Sequence, residues 1–289
     1  MKPKQTISNT LLWQLSGDAL PGVSYLFGTM HVKDERAFRH LNAVYAAMEQ
    51  CAAFAAEFDL DATDSGISPH IFSLPEGKTL QDYIPPRKYR KMRAILLKTV
   101  GIDPDFLQYN QPILLANLIE EQIMMQDMPW PLDQHLWRHA AAREKTMLGI
   151  ETLEEQVDIL RQIPIEQQAA SLLATTRHFT RYRRGLLAMA HWYETGNIRQ
   201  LYQAARRGAR GMRKLLLYNR NALMADRIMA MIATQTTFCA IGAAHLAGGK
   251  GVLRLLKTKG VHITPVVLTT TPNNANGISW NRYPIFVIC

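Results

Sequence analysis

The period of the hydrophobic pattern changes along the chain. Leu11–Leu15 and Ser24–His31 are dense apolar runs separated by Gly17-Asp18 and Pro21-Gly22, which predicts a β-hairpin. Phe38, Leu41, Val44, Tyr45 and Met48 then share one helical stripe, and the apolar run Cys51–Leu60 follows, interrupted by Glu57 and Asp59. Strand, helix, strand is an α/β signature. From Thr79 to Lys145 the pattern is helical, punctuated at Pro85-Pro86, Gly101, Pro104, Pro112 and Pro129. A short strand is predicted over Thr146–Glu151, and Thr152 with Glu155 makes a capping box opening a helix through Ile163. Helix is predicted again for Pro164–Gly196 and on to Ala233, then strand (Thr237–Ala243), helix (Gly251–Thr258) and strand (His262–Leu268). The expected fold is α/β, a central mixed β-sheet with flanking helices and a helical cap built from insertions. One domain over 11–268 is expected, with a discontinuous sheet core (about 11–60, 146–163 and 236–268), insertions at about 79–145 and 164–234, and a tail over 269–289.

Composition narrows the class. With 289 residues, 47% of them hydrophobic and 20% charged, the chain has material for a core, which excludes a disordered or collagenous protein. Lys and Arg exceed Asp and Glu by 33 to 24, a formal +9 that favours anionic partners. Cys51, Cys239 and Cys289 form no CxxC pair and no disulfide framework. No signal-peptide pattern opens the chain, and Ile113–Met125, its most apolar helical window, is broken by Glu120-Glu121. A cytoplasmic location is expected, with the periplasm as the alternative.

The chemistry gathers at strand ends. Tyr25-Leu26-Phe27-Gly28-Thr29-Met30-His31 and Phe238-Cys239-Ala240-Ile241-Gly242-Ala243-Ala244-His245 are both apolar strands closing in Gly-x-x-His. Ligands bind at the carboxyl ends of strands in open α/β sheets. Alternation puts Glu57 and Asp59 on one face of their run, and Glu151 ends the next predicted strand. Two histidines and a carboxylate are the donor set of a catalytic divalent-metal site. Glu57 as a solvated edge acid and Glu151 as a helix N-terminal acid are the structural alternatives. His135 and His139 stand four apart on a helix but lack the glutamate of an HExxH site.

These motifs resemble the TraB/GumN/Tiki group, related to the erythromycin-esterase-like and ChaN-like folds. The matching segments are Leu12-Trp13, both Gly-x-x-His strands, the acid in Ala55–Leu60, Leu132-Asp133, Gly149–Gln156, Arg220-Asn221, and Leu246 with Gly251. The resemblance implies a site of His31, Glu57 and His245 with Glu151 and Arg220 close by, supported by Gly28, Asp59, Asp133, Asn221 and Gly242. It implies a divalent ion (manganese, cobalt or zinc) on His31, Glu57 and His245, and a peptide or protein substrate cut by a metal-dependent peptidase. Arg220 is expected to stabilise an oxyanion or hold a substrate carboxylate. Erythromycin-esterase relatives imply instead hydrolysis without a required metal. Conjugation-associated bacterial members, linked to pheromone shutdown, imply a peptide-sequestering module, and a haem-binding module is the further non-catalytic alternative.

The basic excess lies in the helical insertions. Arg177, Arg181 and Arg184 fall at i, i+4 and i+7, a stripe suited to an anionic surface, with Arg183 beside it. No nucleic-acid motif accompanies the stripe, so a nucleic-acid-associated protein is the third reading and a solvated helical face the cheaper one. A homodimer is the oligomeric expectation.

Overall fold

The structure is a computed structural model and describes residues 9–61, 72–209 and 211–268. The hairpin forms as expected: β1 (Leu12–Ser16) pairs antiparallel with β2 (Ser24–Thr29), with Trp13 opposite Leu26. After a turn of 3-10 helix at Glu35–Phe38, α1 (Leu41–Glu49) buries Leu41, Val44 and Met48, the predicted stripe. Beyond it lie β3 (Ala53–Ala56), β4 (Thr146–Gly149), β5 (Thr237–Gly242) and β6 (His262–Pro265). The sheet order is β4-β3-β5-β2-β1-β6. The first four of these strands are mutually parallel, and β1 is antiparallel to both its neighbours. The sheet is therefore mixed, as the sequence predicted.

One expectation needs correction. The run Cys51–Leu60 is not an alternating strand carrying Glu57 and Asp59 on one face. β3 stops at Ala56, and all four of its residues are buried, because a central parallel strand is covered on both faces. Glu57 and Asp59 lie in the turn beyond the strand end. There Asp59 is exposed and accepts the Asp61 backbone N–H at 3.0 Å.

Helices α5 (Leu132–Ala141) and α10 (Arg220–Thr234) pack on the sheet, contributing Leu136, Trp137, Ile228 and Ile232 to the core. The Phe54 and Trp137 rings meet edge to face at 6.1 Å. Helices α2 (Leu80–Tyr83), α3 (Pro86–Val100), α4 (Pro112–Ile123) and α7 (Ile165–Arg177) bury a second cluster around Leu80, Met92, Leu96, Ile119 and Leu172, which is the helical cap. Between these elements α6 (Leu153–Arg161) opens with the predicted capping box: Glu155 N–H donates to Thr152 Oγ1 at 3.1 Å, and Thr152 N–H to Glu155 Oε2 at 2.8 Å.

The expected single helix over Pro164–Gly196 is two. His178, at φ −117° and ψ 37°, separates α7 from α8 (Phe179–Glu194), so Arg177 does not continue the helical stripe of Arg181 and Arg184. All three arginines are exposed. α8 also reaches the sheet, where the fully buried Tyr193 donates its hydroxyl to the Gly28 carbonyl at 2.7 Å. Cys51 and Cys239 are buried, free thiols, and burial pushes the Cys51 thiol up to about 12. Among the described residues no helix is long and apolar enough to cross a membrane. Cys289 and the tail lie outside the described residues.

Gly28 is a glycine for a steric reason. A Cβ there would stand 2.6 Å from Leu246 Cδ1 and 3.0 Å from Ala243 Cα, where the turn after β5 crosses the end of β2. Replacing Gly28 by Ala is expected to cost about 1–3 kcal/mol through overpacking, read as a lowered urea midpoint at unchanged slope.

Candidate functional site

Parallel pairing of β4, β3, β5 and β2 brings four carboxyl ends to one edge of the sheet, and the expected site residues leave from there. His31 stands two residues past β2. Its partner comes from α5, whose approach is tied to the same loop: Met128 N–H donates to the Lys33 carbonyl at 2.9 Å, and Leu132 N–H to the Val32 carbonyl at 3.2 Å. That places Asp133, in the first turn of α5, at 2.7 and 2.8 Å from His31 Nδ1. Burial opposes charge on the imidazole, but the Asp133 carboxylate outweighs it, and His31 lies above its ordinary value of 6.5. Asp133, which burial alone would raise, is held below the usual carboxylate value by His31 and by backbone amides.

Behind this pair is a buried charge network. Arg220, the first residue of α10, is 2% exposed. Its Nε donates to both Glu151 oxygens at 3.0 and 3.1 Å, and its Nη2 reaches Glu151 Oε2 at 2.6 Å and Glu57 Oε2 at 2.9 Å. Glu57 also accepts the Gly242 backbone N–H at 2.5 Å through Oε1. Gln156 Nε2 donates to Glu151 at 3.2 Å. The guanidinium that was expected to meet an oxyanion or a substrate carboxylate is thus engaged by two of the protein's own carboxylates.

His245 is fully buried, three residues past β5. Asn221 Nδ2 donates to the Lys250 carbonyl at 2.7 Å, which turns Asn221 Oδ1 toward His245 Nδ1 at 2.5 Å. The histidine therefore carries its proton on Nδ1, leaving Nε2 as a buried lone pair with no hydrogen-bond partner. Burial first, and then the Arg220 charge, push His245 down to about 3, so it is neutral at ordinary pH.

His31, Glu57, Asp133 and Gly242 line a cleft of about 40 Å³ with Thr29, Phe58, Leu60 and Gln156. That volume is enough for a water or two. His245 lies deeper, behind this surface. In the register of β2 with β5, Gly28 faces Ile241 and Thr29 faces Gly242, so the two Gly-x-x-His motifs are one residue out of step. The two motif glycines then point to opposite faces of the sheet, while both histidines lie beyond the strand ends.

Two imidazoles with Nδ1 on an oxygen acceptor and Nε2 left over have the chemistry of metal ligands. The third expected donor, Glu57, has one oxygen on the Gly242 amide and the other on Arg220. Among the described residues no three His, Cys, Asp or Glu side chains are placed to hold one ion. The arrangement as it stands does not fit a three-ligand centre. His135 and His139 are engaged in packing: the Tyr45 hydroxyl meets His135 Nε2 at 2.6 Å and the Tyr45 ring stacks on His139 at 3.8 Å, joining α1 to α5.

The sequence over residues 11–265 matches the TraB/PrgY/gumN family. The chain belongs to that family. It is 25% identical to metalloprotease TIKI1 of Danio rerio, over 90% of this chain and 63% of the relative. It is 23% identical to metalloprotease TIKI1 of Homo sapiens, over 91% and 63%. Its identity to the uncharacterized protein YbaP of Shigella flexneri is 22%, over 86% and 94%. The chain thus spans about three fifths of the length of the TIKI relatives. No solved structure matches it.

Sequence reasoning missed two partners. Gln156 stands in the matched Glu-Thr box but reveals its role only once α6 returns it to Glu151. Tyr193 carries no local signal, since its partner is a carbonyl 165 residues away.

Removing the guanidinium leaves the Glu151 carboxylate buried without its counter-charge. Arg220→Met is expected to cost about 3–5 kcal/mol in urea unfolding. Adding Glu151→Gln should recover a large part of that loss, a coupling that the double-mutant cycle measures.

Proposed function

We propose that the chain hydrolyses peptide bonds at this cleft. The observation that carries the reading is the His31–Asp133 pair lining a water-sized cleft at the carboxyl ends of parallel strands. With Nδ1 on Asp133, His31 presents Nε2 to the cleft. It accepts a proton from water as that water attacks the scissile carbonyl, Asp133 stabilises the imidazolium, and the proton passes to the leaving amine. Glu57, fixed by Arg220 and the Gly242 amide, gives the water a second acceptor. Phe58 and Leu60 supply an apolar wall for a side chain beside the scissile bond.

The second reading adds a divalent ion, favoured by the free Nε2 of His245 and by the name metalloprotease that the TIKI relatives carry. Such an ion would activate water as a Lewis acid. Under this reading, chelator-stripped protein loses hydrolysis of a peptide library, and manganese, cobalt or zinc restores it in the wild type but not in His245→Ala. Full hydrolysis by stripped protein assigns the reaction to the His31–Asp133 pair alone.

The sign of the pH dependence follows from the His31 shift. A general base works when neutral, so kcat/KM should rise with pH through a pKa above 6.5. Asp133→Asn removes the raising influence and leaves burial to act, so the acidic limb should move to lower pH. His31→Ala should lower the plateau by about 10²-fold or more. A limb unmoved in Asp133→Asn would show that another group sets it.

A further inference from the structure

α3 contains six basic residues and no acidic one in its 15-residue span. Only Arg93 is engaged: Nε donates to Asp103 at 2.7 Å, and Nη2 lies 2.6 Å from the same carboxylate. Arg87, Lys88, Arg90, Lys91 and Lys98 are exposed, and among the described residues none has an ion-pair partner. Two of the five, Arg87 and Lys88, sit in the first turn, where the helix dipole disfavours positive charge. Helix stability gives no reason for them there.

The Arg93 clamp has a second consequence. With the Tyr89 hydroxyl on Asp105 at 2.7 Å, it fastens the short 3-10 turn Pro104–Leu107 against α3. Phe106 projects from that turn 89% exposed. Leu97, one helical turn beyond Arg93 on the same flank, is 43% exposed. A rigidly mounted aromatic ring and a leucine thus stand out beside a stripe of unpaired cations, the combination that binds an interface between water and lipid.

We propose that this face of the cap, α3 with the Phe106 turn, docks on an anionic lipid bilayer, the cations meeting headgroup phosphates and Phe106 with Leu97 entering the acyl boundary. Charge complementarity selects an anionic partner. The apolar pair selects lipid over nucleic acid, because Leu97 offers a base neither a stacking face nor a hydrogen bond. One ring and one leucine are too small an anchor alone, so binding requires the charge as well. Attachment is therefore peripheral and salt-sensitive.

The test uses the whole chain and vesicles of phosphatidylcholine, alone or with about 30 mol% phosphatidylglycerol, a fraction that sets up a negative surface potential. The chain should sediment with the anionic vesicles and not with the neutral ones, and rising salt should release it. Arg87→Glu with Lys91→Glu should weaken binding by at least about 25-fold, at about fivefold per charge. Phe106→Ser should weaken it about tenfold at constant charge. Both variants alter exposed side chains, so an unchanged thermal midpoint certifies the fold. Equal sedimentation with both vesicle types, or none with either, overturns the proposal. So does anionic binding that Phe106→Ser leaves intact, or single-stranded DNA that displaces the vesicles through the same residues.

Discussion

A guanidinium that is 2% exposed can stay charged only if its donors are answered inside the protein. Arg220 is answered by Glu151 and Glu57, which leave the sheet from neighbouring strands. The three charges do not cancel, since two carboxylates face one cation. The surplus is relieved by the Gly242 amide on Glu57 and by Gln156 on Glu151. Arg220 thereby ties the ends of β3 and β4 to the start of α10, and Glu57 carries the tie on to the end of β5. The cleft is the exposed edge of that assembly, lined by Glu57 together with Gln156 and Gly242.

The helices outside the sheet act on the cleft through single contacts. α5 delivers Asp133 to His31, and α8 delivers the Tyr193 hydroxyl to the carbonyl of Gly28. Both contacts bear on the same strand end, one on its charge and one on its backbone. A change in how α5 or α8 packs would reach His31 directly.

Several of these features are legible in the sequence because they are local. The hairpin, the Thr152–Glu155 capping box and each strand's closing Gly-x-x-His depend on spacing within a few residues. The early end of β3 was not legible: Glu57 and Asp59 keep the strand's alternation in sequence while the backbone turns away after Ala56. Partnerships were least legible of all. Asp133 and His31 are 102 residues apart, Arg220 and Glu57 163, and no periodicity links them. Nor does the sequence reveal the one-residue offset between the motifs, which is set by how β2 and β5 pair.

The two histidines sit in different surroundings despite their shared motif. His31 meets a carboxylate at the cleft and is raised above its ordinary value, whereas burial first, and then the Arg220 charge, push His245 down to about 3. His31 therefore holds a proton to higher pH than an ordinary histidine, while His245 keeps its lone pair. Sites that divide acid–base labour do so by pushing like groups apart in this way. What differs between the copies is their surroundings: Asp133 meets His31, whereas His245 is fully buried with Asn221 on its Nδ1 and the Arg220 charge nearby.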